Sequence, residues 1–136
     1  MARYGMVIDL KRCYGCYSCV MACKQANCTP PGVFWSRVLR GEMGEYPNSV
    51  RQALPVLCNQ CEEPDCMKGC PTGATYQTED KIVRIDTNKC IGCKYCIMAC
   101  PYGARYSVEE YKSYFPEGLP LSEYEQYCKQ VWEAKS

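Results

Sequence analysis

The stretch that decides the fold is residues 85–100, IDTNKCIGCKYCIMAC, where four cysteines follow the spacing C-x2-C-x2-C-x3-C. The same spacing occurs in residues 8–23, IDLKRCYGCYSCVMAC, and a related run with a longer middle gap spans residues 58–70. Because a [4Fe-4S] cube is held by four thiolates, such crowded cysteines suit its corners. The candidate metal ligands in these runs are Cys13, Cys16, Cys19, Cys23, Cys58, Cys61, Cys66, Cys70, Cys90, Cys93, Cys96 and Cys100.

The two matching segments form an internal repeat. They align without a gap and nine of sixteen positions are identical, which indicates a duplicated unit. Each copy is expected to begin with a β-like run, over residues 6–10 and 82–85, and to enter a helix after the cysteine loop. Gly15 and Gly92 lie between the first two cysteines of each copy, where backbone N-H groups could approach the cluster sulfurs. A tight turn is the alternative role for both glycines.

The middle run is expected to share ligands with the last one. Residues 70–74, CPTGA, parallel residues 100–104, CPYGA. In two-cluster ferredoxins the cysteine before this proline ligates the other cluster. We therefore predict crossed ligation, with residues 74–76 and 82–85 as a small hairpin between the runs. One cube is assigned to Cys58, Cys61, Cys66 and Cys100, and the other to Cys90, Cys93, Cys96 and Cys70.

Composition excludes several other classes of site. The chain has 136 residues, 14 cysteines and no histidine, so a Rieske centre, a histidine zinc ligand and a Ser-His or Cys-His nucleophilic pair are excluded. Disulfides are disfavoured because the thiols are crowded and no signal peptide is evident. Zinc is disfavoured because structural zinc sites usually offer well-separated C-x2-C pairs. Iron and sulfur are expected to replace much of the apolar core.

Charge and hydropathy limit the partners and the location. The formal charge is +1 with neutral cysteines. An oxidised cube with four thiolates carries about two negative charges, so three cubes would make the protein about five charges negative. Nucleic acid is therefore not an expected partner. No stretch approaches the length of a membrane span, and we expect a cytoplasmic protein or one exported only with a partner that carries the signal.

The remaining segments complete the expected architecture. Residues 29–57 read as a β-hairpin insertion, with strands over 33–40 and 50–57. Near the end, Ser122 and Glu125 form a capping box, followed by an apolar helical face made of Tyr124, Tyr127, Cys128, Val131 and Trp132. Cys128 is a candidate metal ligand on this face, although a buried cysteine is more often a small hydrophobe. Cys28 is a weaker candidate.

The predicted fold class is α+β, with a duplicated ferredoxin-like 2x[4Fe-4S] domain, a β-hairpin insertion and a C-terminal helix. Its units are a first ferredoxin-like cysteine unit over residues 1–28, the hairpin insertion over 29–57, a two-cluster unit over 58–106 and a C-terminal segment over 107–136.

Three segments resemble a known family. They are residues 5–24, GMVIDLKRCYGCYSCVMACK; residues 57–74, LCNQCEEPDCMKGCPTGA; and residues 86–105, DTNKCIGCKYCIMACPYGAR. They are similar to the iron-sulfur subunits of molybdenum or tungsten bis-pterin oxidoreductases, typified by dimethyl sulfoxide, polysulfide and tetrathionate reductases. Similar small subunits serve tungsten aldehyde oxidoreductases. The resemblance implies a line of [4Fe-4S] clusters, anaerobic metabolism and a large catalytic partner with the metal-pterin site. A further redox subunit or other copies of the chain are additional candidate partners.

One feature of that family is missing from this sequence. Family members usually have a fourth cysteine run, which completes the cluster of Cys13, Cys16 and Cys19 and supplies three partners for the equivalent of Cys23. Either the chain is truncated or this cluster is lost or rebuilt. Two cubes are thus complete within the chain, a third needs one more ligand, for which Cys128 is the candidate, and a fourth would need non-cysteine, partner or missing ligands.

The sequence therefore predicts a non-catalytic electron-transfer subunit of an oxidoreductase complex. Fully ligated cubes pass single electrons and leave no iron open to a substrate. The alternative is a catalytic iron-sulfur enzyme that uses an incompletely ligated first cluster, although no C-x3-C-x2-C radical signature accompanies it. A zinc or disulfide scaffold for protein contacts is the third hypothesis.

Overall fold

The computed structural model describes residues 5–116 and 118–133. Within them the chain forms short helices and strands of the α+β class, as the sequence predicts. The strands pair into two separate antiparallel two-stranded sheets, β1 with β2 and β3 with β4. In chain order the elements are α1 Ser18–Asn27, β1 Arg37–Met43, β2 Val50–Val56, α2 Asp65–Lys68, β3 Thr75–Gln77, β4 Val83–Ile85, α3 Tyr95–Ala99 and α4 Glu123–Glu133.

The predicted hairpin insertion is present, but its first strand is displaced. β1 begins at Arg37 rather than at residue 33, and it continues to Met43, opposite Val50. The reason is the ammonium group of Lys24, which donates to the carbonyl oxygen of Val33 at 2.8 Å and to that of Pro30 at 3.2 Å. These bonds hold residues 30–33 in a turn around the lysine, so this segment does not join the ladder.

The inner face of the hairpin packs on the first cysteine loop. Val38 and Ala53 are buried against Val20 of α1, with Cys13 at the edge of this small core. Arg40 donates to the carbonyl oxygen of Gly15 at 2.6 Å. The insertion therefore supports the loop of residues 13–19 through both apolar packing and a charged hydrogen bond.

The second sheet lies between the two later cysteine runs. β3 pairs with β4 from Thr75 opposite Ile85 to Gln77 opposite Val83, close to the predicted hairpin. Gln60 reaches this sheet, because its side-chain oxygen accepts from the Val83 N-H at 2.6 Å. Helices α2 and α3 also meet closely: a Cβ on Gly69 would lie 2.1 Å from the ring of Tyr95.

The prediction of a strand over residues 6–10 is wrong. Residues 5–9 form no strand. Instead the Asp9 carbonyl oxygen accepts from the N-H groups of Arg12 and Cys13, and its carboxylate accepts from the Lys11 N-H at 2.9 Å. Asp9 thus turns the chain directly into the cysteine loop, and no described segment lies alongside to pair with it. The strand is present only before the third run, as β4.

The cysteine loops of the two copies nevertheless share backbone geometry. Gly15 and Gly92 have φ angles of +73° and +68°. Tyr17 and Lys94, which occupy matching positions before α1 and α3, have φ angles of 63° and 61°. The left-handed residues bend each loop back on itself before the helix begins.

The C-terminal helix forms as predicted, but its inward face differs. The Glu125 N-H donates to Ser122 Oγ at 3.3 Å, which is the expected cap. Cys128 is buried, whereas Tyr127 is 58% exposed and Glu125 is only 5% exposed. Glu125 turns inward because Ser113 Oγ donates to its carboxylate at 2.7 Å and so compensates its burial.

The two repeated glycines offer a matched pair of substitutions. Ala at either site adopts an unfavourable φ, at a cost of about 1 to 2 kcal/mol. At Gly15 the new Cβ would also lie 3.0 Å from the Cβ of Ala53, whereas nothing lies within 4 Å at Gly92. We expect Gly15→Ala to lower the thermal unfolding midpoint, measured anaerobically, clearly more than Gly92→Ala does. Equal losses would mean that the hairpin does not press on the first loop.

Candidate metal centres

All 14 cysteines lie within the described residues, and none of them forms a disulfide. The disulfide scaffold considered from the sequence is therefore absent from the structure. The thiols of the three cysteine runs are half-buried or exposed, whereas Cys28 and Cys128 are buried. In residues 5–116 and 118–133, no three cysteine or carboxylate side chains are grouped so as to hold a single metal ion.

The first candidate centre is a cavity between the second and third runs. It is partly open to solvent and is lined by Cys70 together with Cys90, Cys93 and Cys96. These four cysteines come from two different runs. They are the set that the crossed assignment groups together. The rest of the lining consists of Thr72, Ala74, Thr75, Ile85, Ile91 and Lys94.

At Cys70, which lines this cavity, hydrogen bonds favour the thiolate, the form of cysteine that binds metal. The pKa of its thiol is lowered to about 7, chiefly by the backbone N-H of Thr75 and further by Thr72 and the Ala74 N-H. The turn that aims these donors depends on Gly73, which has a φ of +64° and donates its N-H to the Cys70 carbonyl oxygen. Because the thiolate is the form that binds metal, donors that favour the thiolate favour ligation.

The second candidate centre surrounds Cys61. Burial raises the pKa of the Cys61 thiol, and the thiols of Cys58, Cys66 and Cys100 raise it further. This electrostatic influence places Cys100, from the third run, near the three cysteines of the second run. Cys100 Sγ also accepts from the Ala104 N-H at 3.5 Å. All four members of the second predicted set are therefore neighbours.

Arg105 lies between the two sets. Its guanidinium donates to Cys66 Sγ at 3.2 Å. Burial raises the pKa of the Cys96 thiol, and the positive charge of Arg105 lowers it, while Cys66 raises it. Thus one arginine acts on a thiol of each set, and the sets adjoin through Cys66 and Cys96. Sequence reasoning did not single out Arg105, since its position after CPYGA carries no ligand signal of its own.

The donors fit an iron-sulfur cube. Each set offers four thiolates, the usual ligands of such a cluster, and backbone N-H groups are directed at the sulfurs of Cys70 and Cys100. In a cube each thiolate binds a different iron atom, so its ligands need not crowd around one point. A cube bound by either set would carry single electrons.

The first cysteine run forms a less complete group. Cys16 Sγ and Ser18 Oγ are hydrogen-bonded at 3.3 Å, and donation from the Ser18 hydroxyl to the thiolate is the main reason that the pKa of Cys16 is lowered. Cys19 lies in the first turn of α1 and Cys23 one turn later, where Asn27 Nδ2 approaches its sulfur at 3.7 Å. No described contact brings a fourth cysteine to Cys13, Cys16 and Cys19.

Cys128, in α4, lies near the C-terminal end of α1, whereas the first cysteine loop precedes the N-terminal end of that helix. Trp132, one turn after Cys128, donates from its indole N-H to the Cys28 carbonyl oxygen. Cys28 follows Cys19 by nine residues, or about 13 Å of helix. The structure therefore brings Cys128 toward Cys28 and not toward the loop of residues 13–19. The role of Cys128 as a cluster ligand stays a prediction.

Gln60 occupies a position that sequence reasoning missed. It is the second residue between Cys58 and Cys61, as Gly15 and Gly92 are in their loops, and its φ is 47°. Three cysteine loops thus bend at the same point, although only two have a glycine there. Aligning the second run with the repeat would have revealed this equivalence.

Comparison with known proteins agrees with this geometry. Residues 50–115 match the family described as "4Fe-4S dicluster domain", a range that includes both sets of four cysteines. The chain carries a 4Fe-4S dicluster domain. The matched range also includes β2, and therefore begins before the two-cluster unit predicted over residues 58–106.

The chain is also similar to the B subunits of several reductases. It is 55% identical over 94 residues to the B subunit of selenate reductase from Mesobacillus selenatarsenatis, covering 69% of this chain and 32% of that protein. It is 45% identical over 99 residues to the B subunit of tetrathionate reductase from Salmonella typhimurium, covering 71% and 40%. It is 42% identical over 105 residues to the B subunit of anaerobic dimethyl sulfoxide reductase from Escherichia coli, covering 71% and 51%. The resemblance inferred from the three segments is confirmed.

The dicluster chain spans between about a third and a half of the length of these relatives. Among the described residues, no helix has the length and apolar character needed to cross a bilayer.

Crossed ligation can be tested with one cysteine. Cys70→Ala removes a thiol of the set that includes Cys90, Cys93 and Cys96, so we expect the cluster of that set to be lost while the cluster at Cys61 remains. Cys28→Ala is the matched control, since it removes a thiol outside both sets. Mössbauer spectra of the two variants would count the surviving clusters, and spectra of a further variant, Cys61→Ala, would identify which cluster each signal represents. Loss of the same signal in Cys70→Ala and Cys61→Ala would show that the runs ligate separately.

Proposed function

We propose that this chain is an electron-transfer subunit that passes single electrons along [4Fe-4S] clusters to or from a molybdenum or tungsten pterin catalytic partner. The observation that carries the proposal is the grouping of cysteines from different runs: Cys70 lines a cavity with the third run, and Cys100 adjoins the second run. Two complete four-thiolate sets side by side suit conduction, because electrons need two neighbouring sites to move along.

In this proposal the protein supplies ligands, donors and close spacing. Cys58, Cys61, Cys66 and Cys100 hold one cube, and Cys70, Cys90, Cys93 and Cys96 hold the other. With all four positions occupied by thiolates, neither cube has an iron free to bind a substrate. The chemistry on the substrate therefore belongs to the partner, and this chain is not itself the catalyst.

A third cube is proposed for the first run. Cys13, Cys16 and Cys19 supply three ligands, and Gly15 bends the loop with a φ of +73° as Gly92 does in the third run. Cys23 lies one turn after Cys19 in α1 and is proposed as a ligand of a further cluster, which would need non-cysteine, partner or missing ligands. We retain the division into units over residues 1–28, 29–57, 58–106 and 107–136 as part of the same proposal.

The partner and the setting follow from the relatives. They are named as subunits of selenate, tetrathionate and dimethyl sulfoxide reductases, so a large catalytic chain with a metal-pterin site is the proposed partner. Anaerobic metabolism is the proposed setting. The proposed location is the cytoplasm, or a compartment reached together with a partner that carries an export signal.

Iron analysis tests the proposal directly. We expect the anaerobically purified protein to contain about eight to twelve iron and as many sulfide ions per chain, corresponding to two or three cubes. After dithionite reduction, electron paramagnetic resonance is expected to show interacting signals from neighbouring reduced clusters. Zinc without sulfide would contradict the proposal, and a cluster that gains a new signal when a small substrate is added would favour the catalytic alternative.

Arg105 gives a quantitative prediction about reduction potential. Its guanidinium donates to Cys66 Sγ and its charge reaches Cys96, and both effects favour the more negative, reduced cluster. We expect Arg105→Gln to lower the midpoint potential of the Cys66 cluster by about 60 mV, a tenfold change in the one-electron equilibrium.

The control for this change is Arg37→Gln. Arg37 lies nearby but donates to the backbone carbonyl oxygen of Tyr102, at 2.6 Å, and to no sulfur. Redox titration followed by electron paramagnetic resonance would measure both variants. An equal shift in both would mean that net charge alone, rather than the contact with Cys66, sets the potential.

A further inference from the structure

Two cysteines remain outside the cluster sets, and both are buried. Cys28 is 4% exposed and Cys128 is 3% exposed, although they are 100 positions apart in the sequence. Cys28 ends α1 in a left-handed conformation with φ of 52°. Cys128 lies in the middle of α4. Neither thiol has a part in the proposed electron path through the second and third runs.

The contacts around these residues bring the two elements together at this point. Tyr124 and Trp132 lie one turn before and one turn after Cys128, on the same face of α4. The Tyr124 hydroxyl donates to the carbonyl oxygen of Gln25, and the Trp132 indole N-H donates to that of Cys28. Cys128 therefore lies on α4 between two residues that both bind the end of α1, one of them through the backbone of Cys28 itself.

The pKa shifts of two tyrosines agree with this arrangement. The pKa of Tyr124 is raised well above its usual range, first by burial and then by Cys128 and Cys28. Burial also raises the pKa of Tyr111, with further contributions from Cys128, Glu125 and Cys28. The pKa values of two tyrosines are thus raised by both thiols. Tyr111 in turn packs near Trp132, with ring centroids 6.5 Å apart.

We propose that Cys28 and Cys128 are a thiol pair that forms a disulfide and fixes α4 to the end of α1. The oxidant is a small-molecule disulfide. One protein thiolate attacks it, forms a mixed disulfide and releases one small thiol; the second protein thiolate then displaces the other small thiol. Two electrons and two protons leave the protein, and the small disulfide becomes two thiols. Local opening of α4 admits the reagent.

The disulfide would act on α1, the helix that carries Cys19 and Cys23. The Tyr124 and Trp132 side chains of α4 are hydrogen-bonded to the end of α1, and local opening of α4 would break these bonds. A covalent bond at Cys28 would close that opening. The strength with which α4 is held against the end of α1 would therefore depend on the thiol-disulfide balance around the protein.

The test uses the cluster-containing protein and glutathione disulfide under anaerobic conditions. After free thiols are alkylated, trypsin releases residues 25–37, which contain Cys28 as their one cysteine, and residues 113–129, which contain Cys128 as theirs. We expect mass spectrometry to detect these two peptides joined by a disulfide, and hydrogen exchange in α4 to slow at least tenfold. Absence of the joined peptides while other exposed thiols become glutathionylated would overturn the proposal.

A matched variant moves the thiol by one position. In Tyr127→Cys with Cys128→Ala, the peptide keeps one cysteine, but on the exposed side of α4. We expect the yield of joined peptides to fall at least tenfold in this variant, and equal yields would contradict specific pairing.

Iron content separates this proposal from a ligand role for Cys128. Cys128→Ala should keep all its iron, whereas loss of about four iron atoms would mean that Cys128 binds a cluster. Neither outcome depends on whether the clusters conduct electrons.

Discussion

We propose that the second and third cysteine runs each supply one thiol to the cluster of the other run, and the rest of the account depends on this shared ligation. In each run two thiols lie on a loop, the third lies in a short helix, α2 or α3, and the fourth follows that helix. The helix carries this fourth thiol away from its own loop and toward the other one, so Cys70 lies with the third run and Cys100 with the second. In the proposed ligation neither set is complete without the other run. Folding of the two halves and assembly of their metal sites would then be linked.

In the proposed ligation, cluster bonds would take the place of part of an apolar core. The buried apolar residues among those described are few, and their cluster of Val20, Val38 and Ala53 lies beside the first cysteine loop. The second and third runs instead meet through α2 against α3, where Gly69 faces Tyr95 with no room for a side chain. Cluster bonds would join parts of the chain that hydrophobic burial alone joins weakly, as metal binding does in other small domains.

Cationic side chains also connect separate segments of the chain. Lys24 gathers the carbonyl oxygens of residues 29–33, with the ring of Phe34 4.4 Å from its ammonium group. Arg40 ties the hairpin to Gly15 and lies 4.4 Å from the ring of Tyr17. Arg105 touches a cysteine directly. The charge of Arg105 reaches thiols of both proposed sets, which is favourable for holding two negative clusters side by side.

Sequence reasoning predicted the features that depend on local spacing. The small hairpin between the runs and the cap at Ser122 both follow from residues close together in the chain, while the cysteine ligand sets stay a prediction. The start of β1 could not be predicted, because it depends on where Lys24 finds its acceptors. The failed strand over residues 6–10 has the right composition but lacks a partner. The inward turn of Glu125 depends on Ser113, and the approach of Cys128 to Cys28 joins distant segments; neither leaves a periodic signal.

The most direct measurement of crossed ligation is the anomalous scattering of iron in crystals grown without oxygen. We predict two adjacent cubes in the region of residues 58–100, with Cys100 bonded to the cube of Cys58, Cys61 and Cys66, and Cys70 bonded to the cube of Cys90, Cys93 and Cys96. Density that joined Cys70 to the cube of its own run, or single metal ions in place of the cubes, would contradict crossed ligation.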